Sequence, residues 1–248
     1  MNISIDSQID SQINSQINSQ INSPINNLQK LNRLKEKKAK YFHPEFSARI
    51  IHENPYILKI KHLLMDDEIE ALLEMTKNKF EKSNIMKDGV LFYSDQRTSS
   101  TAYIFKDGLP DKYSKPIERM IKRIRMILDC PRNHLEVMAV RYRTGEYFEK
   151  HVDYFEDHEI NTVDSAGNRI STLFVYLNTL DKDAGGETEF TKLGLKSHPK
   201  KGDAVFWWNR DPQTGEMLPQ TQHRGNPVTK EGVIKYGCNV WSRDLPFM

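Results

Sequence analysis

Cysteine is nearly absent from this chain: two in 248 residues, Cys130 and Cys238, with no Cys-x-x-Cys. That excludes a disulfide framework and a thiolate zinc site, leaves a single Cys130–Cys238 bridge open, and fits a reducing compartment. Long hydrophobic runs are missing too. No stretch approaches the roughly 18 apolar residues that a membrane span needs. The N-terminus has neither the basic start nor the apolar stretch of a secretory leader, so a cytoplasmic location is expected. Neither sign of charge dominates: 36 basic residues against 34 acidic ones leave a net charge of +2. Such a balance argues against a dedicated nucleic-acid partner. Hydrophobic residues make up 38%, with the polar excess concentrated near the N-terminus.

What is there begins with a repeat. Residues Ser7 to Ser23 cycle through Ser-Gln-Ile-Asn/Asp, with one Ile per unit, too little to pack a core. A disordered low-complexity arm is the expectation. A short coiled coil is the weaker alternative, because Ser and Asn disfavour helix interiors. A basic run from Lys30 to Lys40 follows, read as a solvated linker or helix face. The chain therefore divides into an arm and linker over residues 1–40 and a single domain over 41–248.

Within the domain, Tyr56 to Ile60 reads as a strand. A helix is expected after Leu64, capped by Asp66 or Asp67, with Ile69, Leu72, Leu73 and Phe80 on its apolar face. A second helix should begin at Ser114 and bury Ile117, Met120, Ile121, Ile124 and Leu128. From residue 134 the pattern changes to short strands punctuated by glycines: Leu135 to Tyr142, Tyr147 to Asp153, Ile170 to Asn178, Thr188 to Thr191, Ala204 to Trp208 and Val233 to Trp241. Many short strands between turns point to a sandwich, jelly roll or barrel. The fold class is α+β, with helices first and a mainly β core over about residues 134–243.

The chemistry concentrates in Val140 to Phe155, VRYRTGEYFEKHVDYF. In a strand, residues i and i+2 share a face, so His151 and Asp153 can hold one metal ion together. Two ligands are too few. Of the eight histidines, His158 lies in an acidic loop that suits a solvated role, and His223 stands just before a turn into the last strand. His151, Asp153 and His223 together make a 2-His-1-carboxylate set, which suits Fe(II) and leaves open positions for a bidentate cosubstrate and O2. The rival reading is a surface histidine beside an ordinary carboxylate. In the last strand, Lys235, Gly237, Asn239 and Trp241 share one face, and Ile234, Tyr236, Cys238 and Val240 form a core face. Lys235 then points to solvent or into the barrel, where it would need an anion. Parity alone favours solvent.

At these residues the chain resembles the prolyl 4-hydroxylase family of Fe(II)/2-oxoglutarate dioxygenases. The resemblance runs in order from Arg97-Thr98-Ser99, through Tyr142 and Gly145 ahead of His151-x-Asp153, to Asn168-Arg169 and Tyr176-Leu177-Asn178. It continues through Gly185-Gly186-Glu187-Thr188-x-Phe190, Lys201-Gly202-Asp203 and His223-x-Gly225 to Lys235 and Trp241. It implies a double-stranded β-helix (jelly roll) with flanking N-terminal helices, and His151, Asp153 and His223 as Fe(II) ligands. It implies Lys235 as the partner of the distal carboxylate of 2-oxoglutarate, with Tyr142, Thr188 and Trp241 lining the same pocket, and Arg169 facing the substrate. The implied reaction hydroxylates proline in a peptide or protein, consumes O2 and 2-oxoglutarate, releases succinate and CO2, and uses ascorbate to keep the iron reduced. Alternatives are a 2-oxoglutarate oxygenase with another substrate, and a silent module that binds peptide or metal. In one departure, Lys235 follows His223 by twelve residues, against a family interval of about ten, a difference for the turn at Thr229–Gly232 to absorb. Lys230, in that turn, is the alternative anchor.

Overall fold

A computed structural model describes residues 24–87, 90–105, 108–156 and 166–247. The Ser-Gln-Ile repeat and His158 lie outside the described residues. Helices α1 (Pro24–Lys37), α2 (Asp66–Thr76) and α3 (Asp111–Leu128) pack on a β core. Its strands are β1 (Ser47–His52), β2 (Ile57–Lys61), β3 (Glu81–Lys82), β4 (Ile85–Lys87), β5 (Val90–Phe92), β6 (Ser100–Tyr103) and β7 (Leu135–Tyr142). They continue with β8 (Phe148–His151), β9 (Arg169–Tyr176), β10 (Thr188–Phe190), β11 (Leu195–Ser197), β12 (Ala204–Trp208), β13 (His223–Gly225) and β14 (Lys235–Arg243).

Eight strands form the large sheet, in the order β1-β2-β12-β9-β14-β7-β6-β3. Four form a smaller one, β11-β10-β13-β8, and β4 and β5 make a separate hairpin. All the strand pairs are antiparallel. The two sheets face one another as a double-stranded β-helix.

The central strand β9 shows how the sequence makes this arrangement. Its side chains alternate, so Leu173 and Val175 join the cluster that the helices cover. Phe174 and Tyr176 enter a second cluster with Phe190, Trp207 and Val228 between the sheets. Both faces of the strand are apolar, and each has a cover. Packing between the sheets is tight enough to require glycine at 237, where a Cβ would come within 2.5 Å of Cζ of Phe174.

The helices are held by one buried cluster of charge. Glu68 accepts bidentate hydrogen bonds from Arg123 of α3 at 2.7 and 2.8 Å and another from Arg119 at 2.8 Å. The same carboxylate accepts from the backbone N–H of Met65, so Met65 occupies the cap position and Asp66 and Asp67 fall in the first turn of α2. Helix α3 starts three residues ahead of Ser114, at Asp111.

Packed structure begins earlier than the anticipated start near residue 41. Leu31 of α1 is buried, with Leu28 and Leu34 against the same core. Spacing of three places these leucines on one helical side, flanked by the half-buried Lys30 and Lys35. Lys30 bonds Asp129 at the end of α3, and Lys35 donates to the carbonyl of Phe46. Cys130 and Cys238 are both free thiols.

Candidate active site

Strand register brings the three anticipated metal ligands together. His223 of β13 pairs directly with His151 at the end of β8, and their rings lie 4.3 Å apart between centroids. Strand β8 stops at His151, so Asp153 sits in a bend beyond it and not on the strand expected to reach it. One ligand atom from each of the three lies within 4.8 Å of the others. Asp153 Oδ1 is 3.6 Å from His151 Nε2, and Oδ2 is 3.7 Å from His223 Nε2.

Each ligand is oriented from behind. His151 Nδ1 bonds the carbonyl of Glu149 at 2.7 Å and His223 Nδ1 that of Thr221 at 3.0 Å. Both bonds require Nδ1–H, which leaves the Nε2 lone pairs directed at the shared point. Thr172 Oγ1 donates to Asp153 Oδ2 at 2.7 Å and accepts from Asn209 Nδ2 at 2.9 Å. Burial works against charge on Asp153, yet His223 and His151 beside it hold its carboxyl well below the usual range. Burial, joined by His151, pushes His223 down to about 4, so its imidazole is neutral at neutral pH. Two imidazoles and a carboxylate are the donor set that a divalent first-row metal takes.

The triad opens into a cavity of about 880 Å³ that also receives Lys235, Tyr142, Thr188, Trp241 and Arg169. Lys235 corrects the parity argument. It is 1% exposed, and it pairs in register with Tyr142 of β7. Parity identifies which residues share a face, but the cover on that face comes from the small sheet, whose strands are distant in sequence. The ammonium lies over the rings of Tyr142, Phe174 and Tyr176 at 4.8, 5.1 and 5.9 Å. No carboxylate of the described residues lies within ion-pairing distance of it. Burial brings its pKa down to about 7, opposed only by the charge of Glu187. Lys230, the alternative anchor, turns outward to Asp181 at 2.6 Å.

Thr188 accepts a hydrogen bond from the Tyr176 hydroxyl at 2.9 Å. Burial pushes the phenol of Tyr142 up. Arg169 is more engaged than its anticipated role suggests. It makes a bidentate pair with Glu136 through Nε and Nη2 at 2.9 and 2.6 Å. Its guanidinium lies 3.7 Å from the Trp241 ring centroid and 5.0 Å from that of Phe155.

Behind the site, Asn209 carried no signal in the sequence, and Thr172 belongs to the family resemblance without a role having been expected of it. Arg97 and Phe148 form a further layer: Phe148 stacks on His151 at 3.6 Å, and Arg97 lies over Phe148 at 4.7 Å. Alternation along β9 puts Thr172, Phe174 and Tyr176 on one face, but spacing does not mark Asn209.

A jelly roll whose inner faces carry a 2-His-1-carboxylate triad and a buried, unpaired lysine is the build of a 2-oxoglutarate oxygenase core. Residues 137–243 match the 2OG-Fe(II) oxygenase superfamily model. The chain is 30% identical over 216 residues to the probable prolyl 4-hydroxylase 10 of Arabidopsis thaliana, covering 79% of this chain and 71% of that protein. It is also 30% identical over 192 residues to the prolyl 4-hydroxylase subunit alpha-2 of Gallus gallus, covering 76% of this chain and 34% of the subunit. It therefore spans about a third of the length of that animal subunit. Among solved structures, the viral collagen prolyl hydroxylase of Paramecium Bursaria Chlorella virus-1, as its 2-oxoglutarate complex, aligns with a TM-score of 0.56 and 28% identity over 78% of this chain and 98% of that one. This chain belongs to the prolyl 4-hydroxylase family of Fe(II)/2-oxoglutarate dioxygenases. Fe(II) and 2-oxoglutarate are the metal and cosubstrate of that family, and the donor set and the buried lysine fit them. Among the described residues, no helix is long and apolar enough to cross a membrane.

Proposed function

We propose that this chain is a prolyl 4-hydroxylase that acts on proline within peptides or proteins, and that the active unit extends back to Pro24. His151, Asp153 and His223 hold Fe(II). Lys235 takes the distal carboxylate of 2-oxoglutarate, with Tyr142, Thr188 and Trp241 around it. The observation that carries this reading is Lys235: a buried ammonium with no carboxylate partner among the described residues, in the same cavity as the triad. Isolated buried charge is costly, and a charge-assisted bond to an entering anion offsets that cost.

With both groups bound, the centre supplies an oxidant able to hydroxylate an unactivated C–H bond while 2-oxoglutarate leaves as succinate and CO2; ascorbate keeps the iron reduced. This chain's own residues bind and orient. Thr172 aims Asp153, the carbonyls of Glu149 and Thr221 select the imidazole tautomers, and the ring of Phe148 covers one side of His151. Arg169, braced by Glu136, presents the guanidinium edge that it does not share with Glu136 to the peptide.

Metal content and succinate release test the reading. Anaerobically purified protein should hold one Fe(II) that His151→Ala removes, and it should release succinate in step with added proline-rich peptide. Succinate release indifferent to every proline peptide would point to a different substrate. Failure to bind either iron or 2-oxoglutarate would remove the oxygenase reading altogether.

A further inference from the structure

Among the described residues, one other cluster has a metal-ligating composition, and it lies apart from the cavity. His43 and Glu45 sit between the short turn of helix at Ala39–Tyr41 and β1, and His62 follows β2 directly. None of the three lines the cavity that holds the reaction centre. One ligand atom from each lies within 4.8 Å of the others, the same bound that the Asp153 triad meets. His62 Nε2 is 3.4 Å from a Glu45 carboxylate oxygen. The rings of His43 and His62 stack at 4.7 Å, inclined by 15°. His43 Nδ1 accepts the backbone N–H of Glu45 at 3.1 Å, so an ion that takes His43 displaces this bond and draws on the lone pair that now receives it.

Both segments are fixed from beneath. Phe42 and Phe46 bracket the first two residues in the core, and Phe46 N–H bonds the carbonyl of His43 at 2.9 Å. His62 adopts a left-handed backbone with φ of 51°, uncommon for a residue with a side chain. Its N–H bonds Asp203 at 3.2 Å, and the N–H groups of Leu63 and Leu64 both bond the carbonyl of Gly202. The two backbones are thus fixed, so closing on an ion takes only a turn of one imidazole out of the stack and a swing of Glu45, which is exposed.

We infer that His43, Glu45 and His62 form a second metal site, for a zinc-class divalent ion, which clips the segment leading into β1 to the exit of β2. Two imidazoles, a carboxylate and a water satisfy tetrahedral Zn(II). Metal–nitrogen bonds of about 2.0–2.1 Å place ligand atoms about 3.4 Å apart in that geometry, so the ion draws them together by an ångström or so. The site is independent of the function proposed above, since it shares no residue with the reaction centre.

Zn(II) and Co(II) titrations of metal-stripped full-length protein test it. Wild type should take two equivalents, and Asp153→Ala should lose one and keep the other. In the Asp153→Ala background the remaining equivalent should raise the melting temperature, and adding His43→Ala, Glu45→Gln or His62→Ala should abolish both the binding and the rise. His43 and Glu45 are surface positions, so those two arms remain decisive if His62→Ala fails to fold. Asp153→Ala protein that binds no Zn(II), or a bound equivalent indifferent to His43→Ala and Glu45→Gln, overturns the inference.

Discussion

Replacing Lys235 by Met should stabilise the protein and nearly abolish its binding of 2-oxoglutarate. The substitution keeps the unbranched stem and removes the ammonium. An unfolded chain keeps Lys235 protonated to about pH 10.5, but burial lets the folded chain without cosubstrate do so only to about 7. At 1.36 kcal/mol per pH unit, that gap corresponds to at most roughly 5 kcal/mol of charge-burial cost. The cost is full below pH 7, where both states are protonated. It fades as pH rises from 7 to 10.5, because the folded state there binds fewer protons than the unfolded one, so wild-type stability climbs through that window. The advantage of Lys235→Met should therefore be greatest at pH 6, fall to about 2 kcal/mol at pH 9, and vanish above 10.5. Denaturant titrations of both proteins at pH 6 and 9, without cosubstrate, measure it. Truncating one partner of a buried charge pair costs about 2–5 kcal/mol of binding, so 2-oxoglutarate affinity should fall on the order of 10²–10³-fold. In wild type, binding above pH 7 requires proton uptake, and affinity should drop about tenfold per pH unit there. Calorimetry in two buffers of different ionisation heat reports that proton. A variant no more stable at pH 6, or one that binds 2-oxoglutarate within threefold of wild type, would refute the reasoning.

Thr172→Val removes the hydroxyl that donates to Asp153 and accepts from Asn209. Fe(II) affinity should weaken about 10–100-fold, as for other groups that orient a ligand from behind, in a competitive metal titration; an unchanged affinity would mean that the two histidines alone aim the carboxylate. Leu31→Ala should destabilise the whole domain by about 2–5 kcal/mol in denaturant, because Leu31 is 3% exposed against the main core; a loss below about 1 kcal/mol would make α1 an appendage.

How legible these features were depends on the range over which each is determined. Alternation along β14 correctly divided Lys235 and Trp241 from Cys238 and Val240, because strand parity is a local property. It favoured solvent for Lys235, because the cover over that face is made by pairing β13 with β8 and β10, contacts between segments dozens of residues apart. The triad was found from ligand chemistry, although the strand argument for Asp153 stops two residues short and a hydrogen bond from Thr172 completes it. Counting lysines in the basic run hid the three leucines by which α1 docks. Thr172 and Asn209 could not be paired from spacing at all, since only the register of β12 on β9 brings them together.

Mass spectrometry of proline-rich peptides incubated with the protein, Fe(II), 2-oxoglutarate, ascorbate and O2 tests the central claim most directly. One oxygen gained on a proline, matched by one succinate and lost in Asp153→Ala and Lys235→Met, is the predicted result. Peptides left unmodified across a broad proline-containing panel by protein that binds Fe(II) and 2-oxoglutarate, or oxygen gained equally with Asp153→Ala, would contradict it.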